Sequence, residues 1–168
     1  MIPEFEPTVA LAELVRHRVD FVCIGGVAAI LNGSNQITFD LDVCPDPRRP
    51  NLDRLSDALR SLEARVRVEG VDGGFEFTLS GESLGRARIW NLVTRAGDLD
   101  LCFLPAGTDG YDDLVRNAHE VDGGDGHMVL VASLADIVRS KRAADRPKDH
   151  VTLPILEELL RYQEQPDE

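Results

Sequence analysis

Two patterns of apolar residues along the chain predict a mixture of helices and strands. In several segments apolar side chains recur every three or four positions, which is typical of a helix with one buried face. In others, a short apolar run ends at glycine or proline, which is typical of a strand. The predicted helices cover residues 8–18, 27–31, 51–64, 111–118, 133–144 and 153–162. The predicted strands cover residues 21–24, 37–44, 75–79, 89–94, 99–104 and 128–131.

The order of these elements predicts an α+β fold in which helices pack on a mixed β-sheet. Residues 95–97, Arg-Ala-Gly, can turn the chain so that the strand after them returns beside the strand before them as a hairpin. At 168 residues and 43% hydrophobic content, the chain is about one domain long and can build one core. We therefore predict a single domain over residues 1–168, with its core at 19–132 and a helical C-terminal segment at 133–163.

Composition predicts the cellular location and the state of the cysteines. No run approaches the roughly 18 apolar residues of a membrane span, and the opening residues MIPEFEPTVA lack the basic and apolar regions of a signal peptide. We therefore expect no membrane partner and a cytoplasmic location. Cys23, Cys44 and Cys102 lie in apolar runs without metal-ligand spacing, so we expect buried, reduced thiols.

The net charge of −12 argues against a large nucleic-acid surface, because each phosphate contact needs a local cation. The acidity does suit a site that gathers a hard cation. The densest basic cluster lies near the C-terminus and comprises Arg139, Lys141, Arg142, Arg146 and Lys148. Two interpretations of it stay open: contacts to phosphate groups, or a solvated helix face with an ion pair from Arg146 or Lys148 to Asp149.

Two aspartates one residue apart are the central candidate for chemistry. Asp40 and Asp42 alternate with Leu41 and Val43, so on a strand both carboxylates project from one face, roughly 6.5–7 Å apart at the backbone. Two carboxylates at this spacing can converge on one divalent ion. The alternative is a pair of solvated carboxylates on the polar face of an edge strand.

A glycine turn and a third acidic strand surround this pair in the predicted fold. Gly25 and Gly26 end the first strand, and their backbone N–H groups, unshielded by side chains, are suited to phosphate. Asp98 and Asp100 alternate with leucines in a later strand. We favour Asp100 as the third carboxylate, because Asp98 can instead stabilise the turn at Gly97. Oxygen ligands of this kind suit Mg²⁺ and predict a phosphoryl or nucleotidyl transfer site.

These motifs resemble a known superfamily. The Gly-Gly pair, the Asp-Leu-Asp motif that follows it and the later strand with Asp100 resemble the DNA polymerase β-like nucleotidyltransferases. More narrowly, IGGVAAILNGS, TFDLD and the segment from Lys141 to Asp149 look like small bacterial proteins related to AbiEii-type toxins and minimal nucleotidyltransferase antitoxins. The resemblance covers about residues 21–160.

The resemblance implies particular roles for individual residues. It implies a mixed sheet packed by helices, Mg²⁺ held by Asp40 and Asp42, and Asp100 as a further metal ligand or as the base for an incoming hydroxyl. It also implies nucleotide contacts. The candidate nucleotide-binding residues are Gly25, Gly26, Ser34, Lys141, Arg146 and Lys148.

Two functions follow from these observations. The leading one is Mg²⁺-dependent transfer of a nucleoside monophosphate from an NTP to a hydroxyl on RNA, a protein or a small molecule, with a possible place in a toxin–antitoxin system. The net charge favours a protein or small molecule over RNA. The alternative is a binding module, such as an antitoxin that keeps this fold and masks a partner protein. Gly26 keeps the alternative open, because many active members of the superfamily have serine there.

Overall fold

The computed structural model describes residues 3–165, which fold into seven helices and eight strands. The strands are β1 (Phe21–Ile24), β2 (Asp40–Pro45), β3 (Arg65–Val68), β4 (Val71–Phe75), β5 (Ile89–Thr94), β6 (Gly97–Cys102), β7 (His119–Asp122) and β8 (Met128–Val131). The helices are α1 (Pro7–Arg16), α2 (Gly25–Leu31), α3 (Arg49–Ser61), α4 (Gly81–Leu84), α5 (Tyr111–Leu114), α6 (Leu134–Ala144) and α7 (Pro147–Glu164). Residues 1, 2 and 166–168 of the predicted domain lie outside the described part.

All eight strands form one mixed sheet in the order β4-β3-β5-β6-β2-β1-β8-β7. Strand β2 pairs with β6 in parallel and with β1 antiparallel, and β1 pairs with β8 in parallel. The prediction of an α+β fold with a mixed sheet is therefore confirmed. Strands β5 and β6 form the predicted antiparallel hairpin.

The apolar core lies against the sheet and beneath the helices. Leu41, Val43, Leu99 and Leu101, which alternate with the aspartates of β2 and β6, are completely buried. The core also takes in residues of α6 and α7, so the C-terminal helices pack against the same cluster. Within residues 3–165, no helix is both long and apolar enough to cross a membrane.

Several predicted strand boundaries are wrong. The second strand begins at Asp40 rather than at residue 37, and Ile37 and Phe39 are 81% and 76% exposed. Their alternation looked strand-like, but no neighbouring strand pairs with them. The third predicted strand, 75–79, is shifted: β4 ends at Phe75 and contains Gly73 and Gly74, which the sequence suggested as a break.

Two short strands and one short helix were not predicted. Strand β3 carries two arginines in four residues, and β7 at one edge of the sheet is mostly polar, so neither shows an apolar run. Helix α4 is a single turn that begins with a capping box at Ser80. Helix α5 is shorter than predicted, and α7 is longer because it begins at Pro147 and continues through Pro154 without a break.

Candidate active site

The pairing of β2 with β6 places four carboxylates on one face of the sheet. In this parallel ladder Asp40 lies beside Asp98, and Asp42 beside Asp100. Because side chains alternate along each strand and the intervening leucines are buried on the opposite face, all four aspartates project to the same side. The solvated edge-strand interpretation of Asp40 and Asp42 is wrong, since β2 lies in the interior of the sheet.

Three of these carboxylates converge. Asp40, Asp42 and Asp100 each offer one oxygen, and these three oxygens lie within 4.8 Å of one another. Burial raises the pKa of Asp42 to about 7, and the neighbouring charges of Asp40 and Asp100 act in the same direction. The three carboxylates repel one another, and all of their donor atoms are oxygen. Such a cluster suits a hard divalent cation such as Mg²⁺.

Asp98 lies outside this converging group, although one arginine contacts both Asp98 and Asp100. Arg67 Nη1 lies 2.9 Å from Asp98 Oδ2, and Arg67 Nη2 lies 2.9 Å from Asp100 Oδ1. No sequence pattern singles out Arg67. It lies on the unpredicted strand β3, and the cross-strand neighbours that bring it to the site could not be inferred without that strand.

The glycine pair lies directly against the carboxylates. Gly25 has a positive φ of 67°, and a Cβ atom placed on it would come within 2.5 Å of Asp42 Oδ2. Only glycine therefore lets the backbone at the start of α2 approach the Asp42 carboxylate this closely. The predicted proximity of the glycine turn to the acidic strand is present in the structure.

The side chain of Thr38 occupies the space above Gly26. A Cβ atom at residue 26 would lie 2.7 Å from Thr38 Oγ1 and 2.8 Å from Thr38 Cβ, so serine does not fit there while Thr38 keeps its place. Thr38 Oγ1 donates a hydrogen bond of 3.1 Å to Asp40 Oδ1. A hydroxyl is therefore present beside the glycine turn although residue 26 carries none.

Replacing Gly25 with alanine is expected to damage the acidic site. The positive φ costs a non-glycine residue about 1–2 kcal/mol, and the added methyl group must push the Asp42 carboxylate aside. We expect Gly25→Ala to lower the free energy of unfolding by more than that backbone cost and to abolish stabilisation by Mn²⁺. Urea denaturation with and without Mn²⁺ measures both effects.

The matched control for this variant is Gly70→Ala. Gly70 also has a positive φ, 78°, but its added Cβ meets no atom within 4 Å. It should therefore lose only the backbone term and keep the wild-type response to Mn²⁺. Equal behaviour of the two variants would show that residue 25 does not constrain Asp42.

A cavity of about 800 Å³ contains most of the predicted site residues. The predicted residues that line it are Gly25, Gly26, Asp40, Asp42, Asp100, Lys141, Arg146 and Lys148. Ser34 is the exception: it is buried and accepts a hydrogen bond from the backbone N–H of Gln36, and Gln36 lines the cavity in its place. Cys102 lines the cavity too and is only half-buried, unlike Cys23 and Cys44.

The basic cluster shows features of both interpretations that the sequence left open. Asp149 is completely buried and accepts hydrogen bonds from Arg146 Nε at 2.8 Å and from Lys141 Nζ at 3.5 Å. These interactions fix both cations at the cavity wall. Lys148 also lines the cavity and forms no ion pair with any residue in 3–165, and its charge lowers the pKa of Asp42. Lys148 is therefore the cation most available to an anionic ligand.

Several solved structures share this fold. The lincosamide antibiotic adenylyltransferase LnuA, with lincomycin bound, matches with a TM-score of 0.59 at 15% identity, over 94% of this chain and 99% of LnuA. The antibiotic-resistance factor ANT(2'')-Ia matches with a TM-score of 0.53 at 18% identity, over 88% of this chain and 77% of that protein. Its complex with adenylyl-2''-tobramycin gives a TM-score of 0.51.

Because the sequence identities are this low, the similarity shows only that the fold is shared, and this is the fold that the sequence motifs suggested. A comparison with protein-family models gives no match, and neither does a comparison with curated proteins.

Proposed function

We propose that this protein is a nucleotidyltransferase that moves a nucleoside monophosphate from an NTP to a hydroxyl of a small molecule. The observation that carries the proposal is the convergence of the carboxylates of Asp40, Asp42 and Asp100 beside Gly25, in a cavity that also contains Lys148. Carboxylates alone would repel a triphosphate. The combination with a glycine turn and a free cation suits a nucleotide bound together with metal.

Asp40, Asp42 and Asp100 are the residues that would hold Mg²⁺. When bound, this ion supplies charge neutralisation for the phosphates and lowers the pKa of a coordinated hydroxyl. The backbone at Gly25 and Gly26 can approach the phosphates closely, because no side chain shields it. Lys148 and Arg146 add positive charge to the cavity and orient the triphosphate toward the acidic cluster.

The proposed reaction is an in-line displacement at the α-phosphorus of the NTP. The acceptor oxygen forms a bond to the α-phosphorus, the bond from that phosphorus to the bridging oxygen breaks, and pyrophosphate leaves. The hydroxyl proton needs an acceptor. We assign it to Asp100, because its carboxylate borders the cavity beside Asp40 and Asp42.

Shape and charge favour a small-molecule acceptor. The residues that line the cavity include the apolar Ile89, Leu104 and Ala106 and the amide-bearing Asn91, a composition typical of small-ligand sites. The net charge of −12 disfavours RNA. LnuA binds lincomycin and ANT(2'')-Ia binds an adenylylated tobramycin, which supports the same class of acceptor here.

A panel of NTPs tests the proposal by thermal unfolding. We expect one NTP with Mg²⁺ to raise the Tm by about 5–10 °C at a concentration near 100 Kd, and to do little without Mg²⁺. Incubation with that NTP labelled on its α-phosphate should then transfer label to a hydroxylated small molecule. Lincomycin and tobramycin are the first acceptors to try.

The same panel tests the alternative. A binding module that masks a partner protein would respond to no NTP, with or without Mg²⁺, and that result would contradict an NTP-dependent enzyme. The relationship to AbiEii-type proteins and a place in a toxin–antitoxin system remain predictions. They would gain support if label passed to a protein instead of a small molecule.

A further inference from the structure

Four residues on adjacent strands form a polar row across the sheet. Asn91 on β5 lies beside Asp100 on β6, which lies beside Asp42 on β2. Arg67 on β3 continues the row, because the preceding residue, Val66, pairs with Leu92 of β5. The Arg67 side chain crosses β5 to reach the acidic cluster. An arginine on a strand near the edge thus contacts carboxylates at the centre of the sheet.

The contacts of Arg67 form a fork between two carboxylates. Nη1 lies 2.9 Å from Asp98 Oδ2, while Nη2 donates to both oxygens of Asp100, at 2.9 and 3.2 Å. The Asp100 side chain is 16% exposed and that of Arg67 32%, so solvent screens this pair only in part. A planar guanidinium can hold both carboxylates in fixed positions, whereas a single ammonium cannot.

The charges around Arg67 are strongly unbalanced. Asp40, Asp42, Asp98 and Asp100 share one face, and Arg67 is the cation that contacts two of them. Burial and the nearby aspartates raise the pKa of Asp100, while Arg67 lowers it. Without Arg67 the same face would hold four close carboxylates and no cation in contact with them among residues 3–165.

We propose that Arg67 serves as the resident counter-cation of the acidic site. It neutralises Asp98 and Asp100 when no metal is bound. A carboxylate has about four lone-pair sites, so Asp100 can keep its contact with Arg67 and still offer an oxygen to a cation. The inference rests on the metal site of the proposed function, and not on its nucleotide or acceptor.

The proposal predicts that Arg67 and a bound metal partly replace each other in stabilising the protein. Arg67→Met should lower the Tm in EDTA by several degrees, and saturating Mn²⁺ should recover most of that loss. The Mn²⁺-induced rise in Tm should therefore be at least twice that of the wild type. Thermal unfolding with EDTA and with MnCl₂ measures both values without any turnover.

Arg65→Met is the matched control, since Arg65 lies on the same strand and, among residues 3–165, forms an ion pair only with Glu76, at 4.0 Å. It should leave both the Tm in EDTA and the response to Mn²⁺ unchanged. A response of Arg67→Met equal to that of Arg65→Met would overturn the proposal. So would an Mn²⁺-induced rise no larger than that of the wild type.

A double variant separates charge balance from simple packing. Removing Asp98 with its partner, in Arg67→Met/Asp98→Asn, should recover part of the Tm lost in Arg67→Met, because the repulsion falls. No recovery would show that Arg67 acts through its packing. If Arg67→Met does not fold, the neutral polar variant Arg67→Gln decides: a larger Mn²⁺ response than wild type supports the proposal, and an equal one overturns it.

These outcomes are separate from those of the proposed function. A protein that transfers no nucleotide can still show the enlarged Mn²⁺ response of Arg67→Met, in which case the counter-cation stands and the enzyme assignment fails. An active enzyme whose Arg67→Met variant behaves like Arg65→Met gives the reverse result.

Discussion

Asp42→Asn is expected to reduce nucleotidyl transfer by about 10³-fold or more. The substitution keeps the size of the side chain but removes one of the three carboxylates that converge in the cavity. Loss of a metal-binding charge costs several kcal/mol of transition-state stabilisation, and each 1.36 kcal/mol is about a factor of ten in rate. The measurement is the initial rate of label transfer from the NTP identified by thermal unfolding. Asp40→Asn should behave in the same way.

Asp57→Asn is the control for this loss of rate. Asp57 lies on α3, where its exposed carboxylate pairs with Arg60 at 2.7 Å, away from the cavity. It should transfer nucleotide at the wild-type rate. Transfer by Asp42→Asn within about tenfold of wild type would contradict the assignment of the acidic cluster as the active site.

The same variant is expected to be more stable than the wild type at alkaline pH when no metal is present. Folding raises the pKa of Asp42 from 3.8 to about 7, chiefly by burial and then by Asp40 and Asp100. The folded state therefore binds a proton that the unfolded state lacks between about pH 4 and pH 7. The contribution of Asp42 to stability is present below pH 4 and is lost as the pH rises through 7. The loss amounts to at most about 4 kcal/mol.

Urea denaturation in EDTA at several pH values measures this effect. Because the asparagine side chain of the variant does not titrate, the free energy of unfolding of Asp42→Asn minus that of the wild type should increase from pH 4 to pH 7 and then level off. Asp57→Asn should show no such rise. A difference between Asp42→Asn and wild type that stays constant across this range would show that Asp42 is not strained by its surroundings.

Taken together, the two expectations describe a site that opposes folding. An exchange of one oxygen for nitrogen at residue 42 should abolish transfer and strengthen the metal-free fold. Destabilised charge at a functional site is a common cost of function, and the charges of Lys148 and Arg146, which lower the pKa of Asp42, offset part of it here.

The sequence predicted the elements of the site that depend on local patterns. The alternation of Asp40 and Asp42 with buried residues, the glycines before them and the acidic strand with Asp100 all have signatures within a few residues. Asp100 could be preferred to Asp98 on turn chemistry, and the structure places Asp100 in the converging group and Asp98 outside it. The mixed sheet followed from the same patterns and from the resemblance they carry.

Other features depend on pairings that no local pattern reveals. Arg67 reaches the site only because β3 pairs with β5, and β3 has no apolar run that would identify it as a strand. Thr38 lies over Gly26 because residues 37–39 leave the sheet, although their alternation suggested that they belonged to it. Nothing in the sequence indicated that Asp149 would be completely buried among the cations that it holds in place.

The parallel pairing of β2 with β6 also determines when the site can exist during folding. The chain between these strands forms α3, α4 and three other strands, so the carboxylates meet only after a long loop has closed. A ligand that requires all three carboxylates has nowhere to bind in an unfolded or partly collapsed chain. Such a ligand stabilises the protein by retaining molecules that have already folded, and it cannot nucleate the sheet that creates its own site.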